Sequence, residues 1–427
     1  MRFRKRVLSV VLAFMAVVPL TLVQAVPAQA DTIRGMEYWL STYGFYDAWN
    51  VTKGAGVIVS VIDSGIGDVA DLGNAVIGGA DFSGIGSADG RTPIGASPDH
   101  GTLVASLLAG RGTGANAGVI GTAPEASLLS ASVALGVETA IPSDEQIAKA
   151  IIWSVDNGAT IINMSLTRNS LEWPRSWDDA FLYAFEHDVI IVAAAGNRGT
   201  GTEEVGAPAT IPGVLTVAGL DAAGKASYDA SSQGITIGVA APGEALVGVA
   251  ASGQYMTWSG SSGAAPLVSG LVALVRASHP ELNAANVIQR VLATATAVGT
   301  VPSPTYGYGL INAGAAVSSD VAPVEANPLG DLAQWIHLYR RAESTGTVSP
   351  APTTTATPLP LPNEWSQFSG GVTLFSSTNA VLPLAFLLGF ATLIVLGTIG
   401  VLRRARLTDD VPETEDIDDE PITPPVL

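Results

Sequence analysis

The stretch Gly260-Ser261-Ser262-Gly263-Ala264-Ala265-Pro266 places a serine on a turn of small residues at the mouth of an apolar segment, Leu267 to Val275. Ser262 there reads as an exposed nucleophile. A bare hydroxyl attacks poorly, so such a serine needs a histidine to take its proton and a carboxylate to orient that histidine. Asp63 ends the apolar run Val57 to Ile62 and is followed by Ser64-Gly65, which sets a carboxylate at the carboxyl end of a buried strand. His100 stands in Asp99-His100-Gly101-Thr102, directly ahead of the apolar stretch Leu103 to Gly110, which reads as a packed helix. Taken singly, the aspartate is an ordinary turn residue and the histidine an ordinary cap or solvated residue. Their conjunction, in the order Asp, His, Ser, points to acyl transfer. The remaining histidines do not compete. His187 lies near a helix end where a cation is favourable, His279 precedes Pro280 between helices, and His337 lies outside the catalytic region.

These residues need a scaffold, and the chain alternates short apolar runs with longer helical stretches. The runs Val57 to Ile62, Leu128 to Val133, Thr160 to Met164, Val189 to Ala194 and Val214 to Ala218 predict strands of parallel βαβ units, hence an α/β fold with a mostly parallel central sheet. Ser143-Asp144-Glu145-Gln146 has the pattern of a capping box and predicts a helix running through Val155, which Asn157-Gly158 stops. With 47 glycines and only 6% aromatic residues, the core must be built from small and branched side chains that allow close approach. About 290 residues suffice for one large core.

The three motifs and their order resemble the subtilisin-like serine proteases, over a stretch from about Trp39 to Val317. The resemblance implies a three-layer α/β fold, and an oxyanion donor on an asparagine side chain. Ala193-Ala194-Ala195-Gly196-Asn197, after the strand Val189 to Val192, matches that motif, so Asn197 is expected to share the oxyanion with the backbone N–H of Ser262. Asn163-Met164-Ser165-Leu166 resembles the strand that lines the family's specificity pocket, which makes Ser165 and Leu166 candidate substrate contacts; the alternative is a plain buried strand end. Two departures stand out. The family's nucleophile motif has threonine before the serine and a larger residue after it, where this chain has Ser261 and Gly263, and Thr167-Arg168 follows Leu166 where glycines are usual. No cofactor is expected. Calcium occurs in the family, yet no segment here concentrates oxygen ligands, and Asp68 with Asp71 or Asp81 reads as turn chemistry, so no metal site is expected either.

Both ends of the chain carry additions. Arg2, Arg4, Lys5 and Arg6 precede an apolar run from Val7 to Val23, and Ala28-Gln29-Ala30 supplies a small-residue cleavage pattern, so residues 1–30 read as a signal peptide rather than an uncleaved anchor. Residues 31–50 form a short extension before a catalytic domain over 51–320. Residues 321–380 read as a Pro/Thr-rich linker, most plainly in Thr347 to Pro362. Val381 to Leu402 carries no charge, is long enough to span a bilayer, and is closed by Arg403-Arg404-Ala405-Arg406. The positive-inside bias makes it one carboxyl-terminal transmembrane helix of type I topology, with the catalytic domain extracytoplasmic at the cell membrane. Residues 403–427 then form a cytoplasmic tail holding eight of the acidic residues behind the net charge of −18, between Asp409 and Glu420. No basic patch speaks for nucleic acid, and the absence of cysteine removes disulfides, thiol nucleophiles and thiolate metal sites.

Signal peptide, subtilisin-like domain, stalk, single span and short tail together resemble the mycosins, membrane-anchored proteases of actinobacterial type VII secretion. Arg34 to Leu40 and Tyr43-Gly44-Phe45 to Ala48-Trp49 resemble the mycosin entry to the catalytic domain, a segment that wraps the protease in that family. Mycosins commonly carry disulfides, which this chain cannot form. The resemblance implies a protein or peptide substrate and a type VII secretion membrane complex as partner. Two other roles stay open at this level: a scaffold of that complex whose proteolysis is dispensable, and a general surface protease unrelated to secretion.

Overall fold

Runs rich in valine, isoleucine, leucine and alanine cannot remain in water without cost, and flanked by glycine or polar turns they form strands buried on both faces. The computed structural model describes residues 28–340. Six such runs and one half-buried edge strand make one sheet: β1 (Ile58–Asp63), the edge strand β2 (Val76–Asp81), β3 (Ser127–Ser132), β4 (Ile161–Met164), β5 (Ile190–Ala194), β6 (Leu215–Leu220) and β7 (Ile237–Pro242), in the order β2-β3-β1-β4-β5-β6-β7. Every pairing is parallel. A separate antiparallel hairpin follows, β8 (Leu246–Val249) with β9 (Tyr255–Trp258).

The helices are α1 (Ala28–Met36), α2 (Tyr38–Thr42), α3 (Phe45–Trp49), α4 (His100–Ala109), α5 (Ser143–Asp156), α6 (Arg175–Glu186), α7 (Ser261–Ser278), α8 (Ala284–Ala293), α9 (Ala313–Ser318) and α10 (Leu332–Tyr339). On one side α7 lies along β4 to β7 with α4, α8 and α9 packed against it, and on the other α5 and α6 pack together over β1, β3 and β5. This is a three-layer α/β fold of subtilisin type. The central helix α7 is buried from Gly263 through Val275, and its glycine, alanine and serine residues let it lie close to the sheet.

The amino-terminal helices have no core of their own and complete that of the larger unit. Trp39, Leu40 and Phe45 are fully buried in it. The Arg34 side chain donates to the carbonyl oxygens of Ala117 and Gly118 and pairs with Glu37, which accepts the N–H of Ile120. Burial pushes the Glu37 carboxyl up to about 8, against the pull of Arg34.

Two expectations need correction. The capping box does not form: Ser143 is already the first helical residue of α5 behind Pro142, and Gln146 turns inward to bond Ala134, Thr139 and Ile141 instead of capping. A buried amide with three partners holds the incoming loop better than a cap would. Residues 321–340 are not linker. Leu332 is buried, Asn286 bonds Val324, Asn327 bonds Gly213, and Trp335 of α10 packs on Trp173 with ring centroids 4.5 Å apart. The expected signal sequence up to residue 27, Thr347 to Pro362, the span 381–402 and the tail 403–427 lie outside the described residues. Among the described residues no helix is long and apolar enough to cross a membrane.

Candidate active site

Ligand chemistry in parallel sheets gathers outside the carboxyl ends of the strands, and the sequence-predicted residues meet there. Asp63 closes β1, which lies inside the sheet between β3 and β4, and is 1% exposed. His100 is the first residue of α4, whose opening turn presses onto the chain just after Asp63. Gly101 donates its N–H to Ser64 Oγ, and a Cβ on it would lie 2.4 Å from the carbonyl oxygen of Gly65, so a glycine is required beside the histidine. The result is close contact: His100 Nδ1 lies 2.8 Å from Asp63 Oδ1 and 3.0 Å from Oδ2. Asp63 Oδ1 also accepts the N–H of Ser64, which fixes the carboxylate. Burial of the imidazole works against its charge, but the charge of Asp63 and the hydrogen bond to it prevail and hold His100 above the ordinary imidazole value.

Ser262 is the second residue of α7, so its N–H belongs to the donors that a helix start leaves unpaired, at the positive end of an 18-residue helix. Among the described residues that N–H has no hydrogen-bond partner. Asn197 follows β5 and is locked by its oxygen, which accepts the N–H of Ser261 at 2.8 Å and Ser261 Oγ at 2.9 Å. Its Nδ2 is thereby left for another acceptor. Gly260 permits the approach, because a Cβ there would stand 3.1 Å from Asn197 Nδ2. Serine in place of the family's threonine at 261 keeps the hydroxyl that makes this lock.

The Ser262 hydroxyl points elsewhere. Ser262 Oγ donates to the carbonyl oxygen of Ser165 at 3.0 Å, and among the described residues no hydrogen bond joins Ser262 to His100. Ser165 answers from its side chain, donating to the carbonyl oxygen of Ser262 at 2.8 Å while accepting from Asn163, which in turn accepts from Ser269 of α7. This buried relay from Ser269 to Ser262 was missed by sequence reasoning. Asn163 and Ser269 look like core polar filler until α7 is laid across β4, and Ser165 reads from the sequence only as a candidate substrate contact.

Ser165 and Leu166 line a cavity of about 680 Å³ that opens onto Asp63, His100 and Ser262 and runs between Leu135, Ile147 and Trp177. Thr167 and Arg168, in place of glycines, tighten its wall: Arg168 N–H donates to Ala207, Ser170 accepts from Ala207, and the Arg168 guanidinium pairs with Asp144. Of the three carboxylates expected in turns, Asp81 accepts from Ser83, Gly84, Gly86 and Ser132, and Asp68 pairs with Arg91. Asp71 differs, being 3% exposed and bonded to Val119 N–H and the Tyr255 hydroxyl. Burial drives its carboxyl up.

The arrangement can bind an extended peptide, take a proton from a serine and hold a developing oxyanion. The profile of the subtilase family, peptidase family S8, matches residues 54–309. Mycosin-4 of Mycobacterium tuberculosis is 33% identical over 328 residues, which cover 67% of this chain and 70% of mycosin-4, and mycosin-3 of the same organism is 34% identical over 64% of this chain and 69% of its own length. Among solved structures, that of the MycP3 protease from the type VII (ESX-3) secretion system matches with a TM-score of 0.57 at 30% identity, covering 66% of this chain and 88% of that one. MycP1 from Mycobacterium smegmatis matches with a TM-score of 0.57 at 27% identity over 68% of this chain and 86% of its own. The chain therefore belongs to the subtilase family of serine endopeptidases and is related to the mycosins.

Proposed function

We propose that this chain is an extracytoplasmic, membrane-anchored endopeptidase acting in type VII protein secretion, with Ser262 as nucleophile, His100 as general base and then acid, Asp63 as the group that orients it, and Asn197 with the Ser262 N–H as oxyanion donors. One observation carries this reading. His100 is held by Asp63 at 2.8 Å on the same cleft as Ser262, beside two N–H donors that have no partner among the described residues. The Ser262 hydroxyl turns about its Cα–Cβ bond from Ser165 to His100 Nε2, gives up its proton and attacks the scissile carbonyl. The oxyanion then accepts from Asn197 Nδ2 and the Ser262 N–H, an interaction worth about 3 kcal/mol per donor. His100 protonates the leaving amine, and water releases the acyl group by the reverse path. The substrate lies along Ser165 and Leu166. Residues 1–30 are the export signal, 31–50 an extension packed on the protease, 381–402 the anchor and 403–427 the cytoplasmic tail; the relatives' type VII setting supports the assignment to secretion.

The full-length protein and its Ser262→Ala form, purified in detergent, should be compared on a mixed peptide library and by complementation of a deletion strain. We expect loss of cleavage by about 10⁶-fold with unchanged folding. Equal cleavage by both forms rejects the nucleophile. Normal secretion with the Ala form present at wild-type level rejects a proteolytic role in secretion and leaves the scaffold.

A further inference from the structure

The residue after the nucleophile is glycine, and the structure shows what takes the space. A Cβ on Gly263 would stand 2.3 Å from Leu246 Cδ1 and 3.4 Å from Trp258 Cη2, so the β8–β9 hairpin occupies the volume that a side chain at 263 would need. Trp258 is the last residue of β9, four positions before Ser262. Its indole packs edge-to-face against the imidazole of His100, ring centroids 5.7 Å apart and planes at 75°. Gly248 on the paired strand makes room, since a Cβ there would come within 3.2 Å of Trp258 Nε1. That Nε1 is buried and has no hydrogen-bond partner among the described residues, so the ring is held there by packing, in a slot cleared by two glycines.

The imidazole needs such a wall. Asp63 fixes one edge of the ring through Nδ1 but does not stop it from tilting about that contact, and His100 is still about a quarter exposed. The charged group set against it is Asp63 of β1, while β9 presents an uncharged aromatic surface. We propose that Trp258 is a positioning residue for His100: seated beside Leu246 over the space left at Gly263, it holds the imidazole against Asp63 with Nε2 turned to the nucleophile, and keeps water off the ring. The inference rests on the triad reading above. Burial depresses the imidazolium, so removing the indole lets water in and moves the protonation of His100 to higher pH.

The test uses full-length protein in detergent and a fluorogenic peptide that it cleaves, with active sites counted by endpoint titration with a phosphonofluoridate so that misfolded molecules drop out. kcat and KM are measured against pH for wild type, Trp258→Leu and Trp258→Phe. Trp258→Leu should lower kcat about tenfold with KM within about twofold of wild type, and move the acid limb of kcat/KM to higher pH; Trp258→Phe, which restores an aromatic wall, should recover most of both. The proposal is overturned by unchanged kcat and acid limb in Trp258→Leu, by a rise in KM at constant kcat, which would make the indole a substrate contact, or by a loss that Trp258→Phe does not recover. Any of these three refutations, in an enzyme that still depends on Ser262, leaves the triad standing; activity independent of Ser262 would remove the triad itself.

Discussion

The two halves of the site differ in how finished they are. Asp63 and His100 are in contact through both carboxylate oxygens, pinned by a strand end, a helix start and a glycine that lets the two meet. Ser262, at the start of α7, has its backbone and the neighbouring Asn197 side chain set, but its hydroxyl is donated to Ser165 rather than to His100. The base half is fixed by the fold, and the nucleophile half by one side-chain torsion. A torsion between staggered wells is a small change next to the rearrangement of a strand or helix end. Substitutions in the base half should therefore be severe, and those that touch only the resting place of the hydroxyl mild.

The largest test of that asymmetry is Asp63→Asn, which keeps the shape but presents an amide to Nδ1 and favours the wrong tautomer of His100. Its kcat should fall about 10⁴-fold with the melting temperature little changed. A fall of less than tenfold would mean that the base half is not set by Asp63. Next comes Asn197→Ala, which removes one oxyanion donor and should lower kcat by about 10²–10³-fold at nearly constant KM; a change confined to KM would mark Asn197 as a ground-state contact. Smallest is Ser165→Ala. The carbonyl that holds the resting hydroxyl survives, and one buried hydrogen bond to the Ser262 carbonyl is lost, so kcat should change only about fivefold, the equivalent of ~1 kcal/mol. A collapse of activity there would show that the nucleophile half is as rigidly built as the base half.

How much of this was readable in the chain follows from what each segment had to signal. Asp63, His100 and Asn197 sit at the ends of apolar elements that announce themselves, and β1, β3, β4, β5 and β6 lie within a residue or two of the expected runs. β2 carries no such signal, since Gly78-Gly79 interrupts it and its half-buried sheet-edge residues lack a continuous apolar run. β7 ends in Pro242 and was also passed over, as was the hairpin of β8 and β9. Trp258 was illegible for a related reason: only the hairpin's return brings it onto His100, and no spacing in the sequence encodes that. The glycine at 263 was its one trace, visible as a departure without a cause. The carboxyl-terminal boundary was set too early because residues 321–340 are polar and proline-containing. Their anchoring side chains, Leu332 and Trp335, become meaningful only against Trp173.

The central claim, that Ser262 is made nucleophilic by a histidine held on Asp63, is tested most directly by covalent labelling with a phosphonofluoridate probe, mapping the adduct by mass spectrometry and following its rate against pH. General-base activation requires a neutral imidazole, and His100 is held above its ordinary value of about 6.5. The rate should therefore rise with pH through a midpoint above that value. By linkage, the same shift stabilises the fold below the ordinary imidazole pKa and is lost as pH rises through the raised one. The account predicts a single adduct on Ser262, formed with that profile and abolished in His100→Ala. An adduct elsewhere, or labelling of Ser262 at the wild-type rate in His100→Ala, would contradict it.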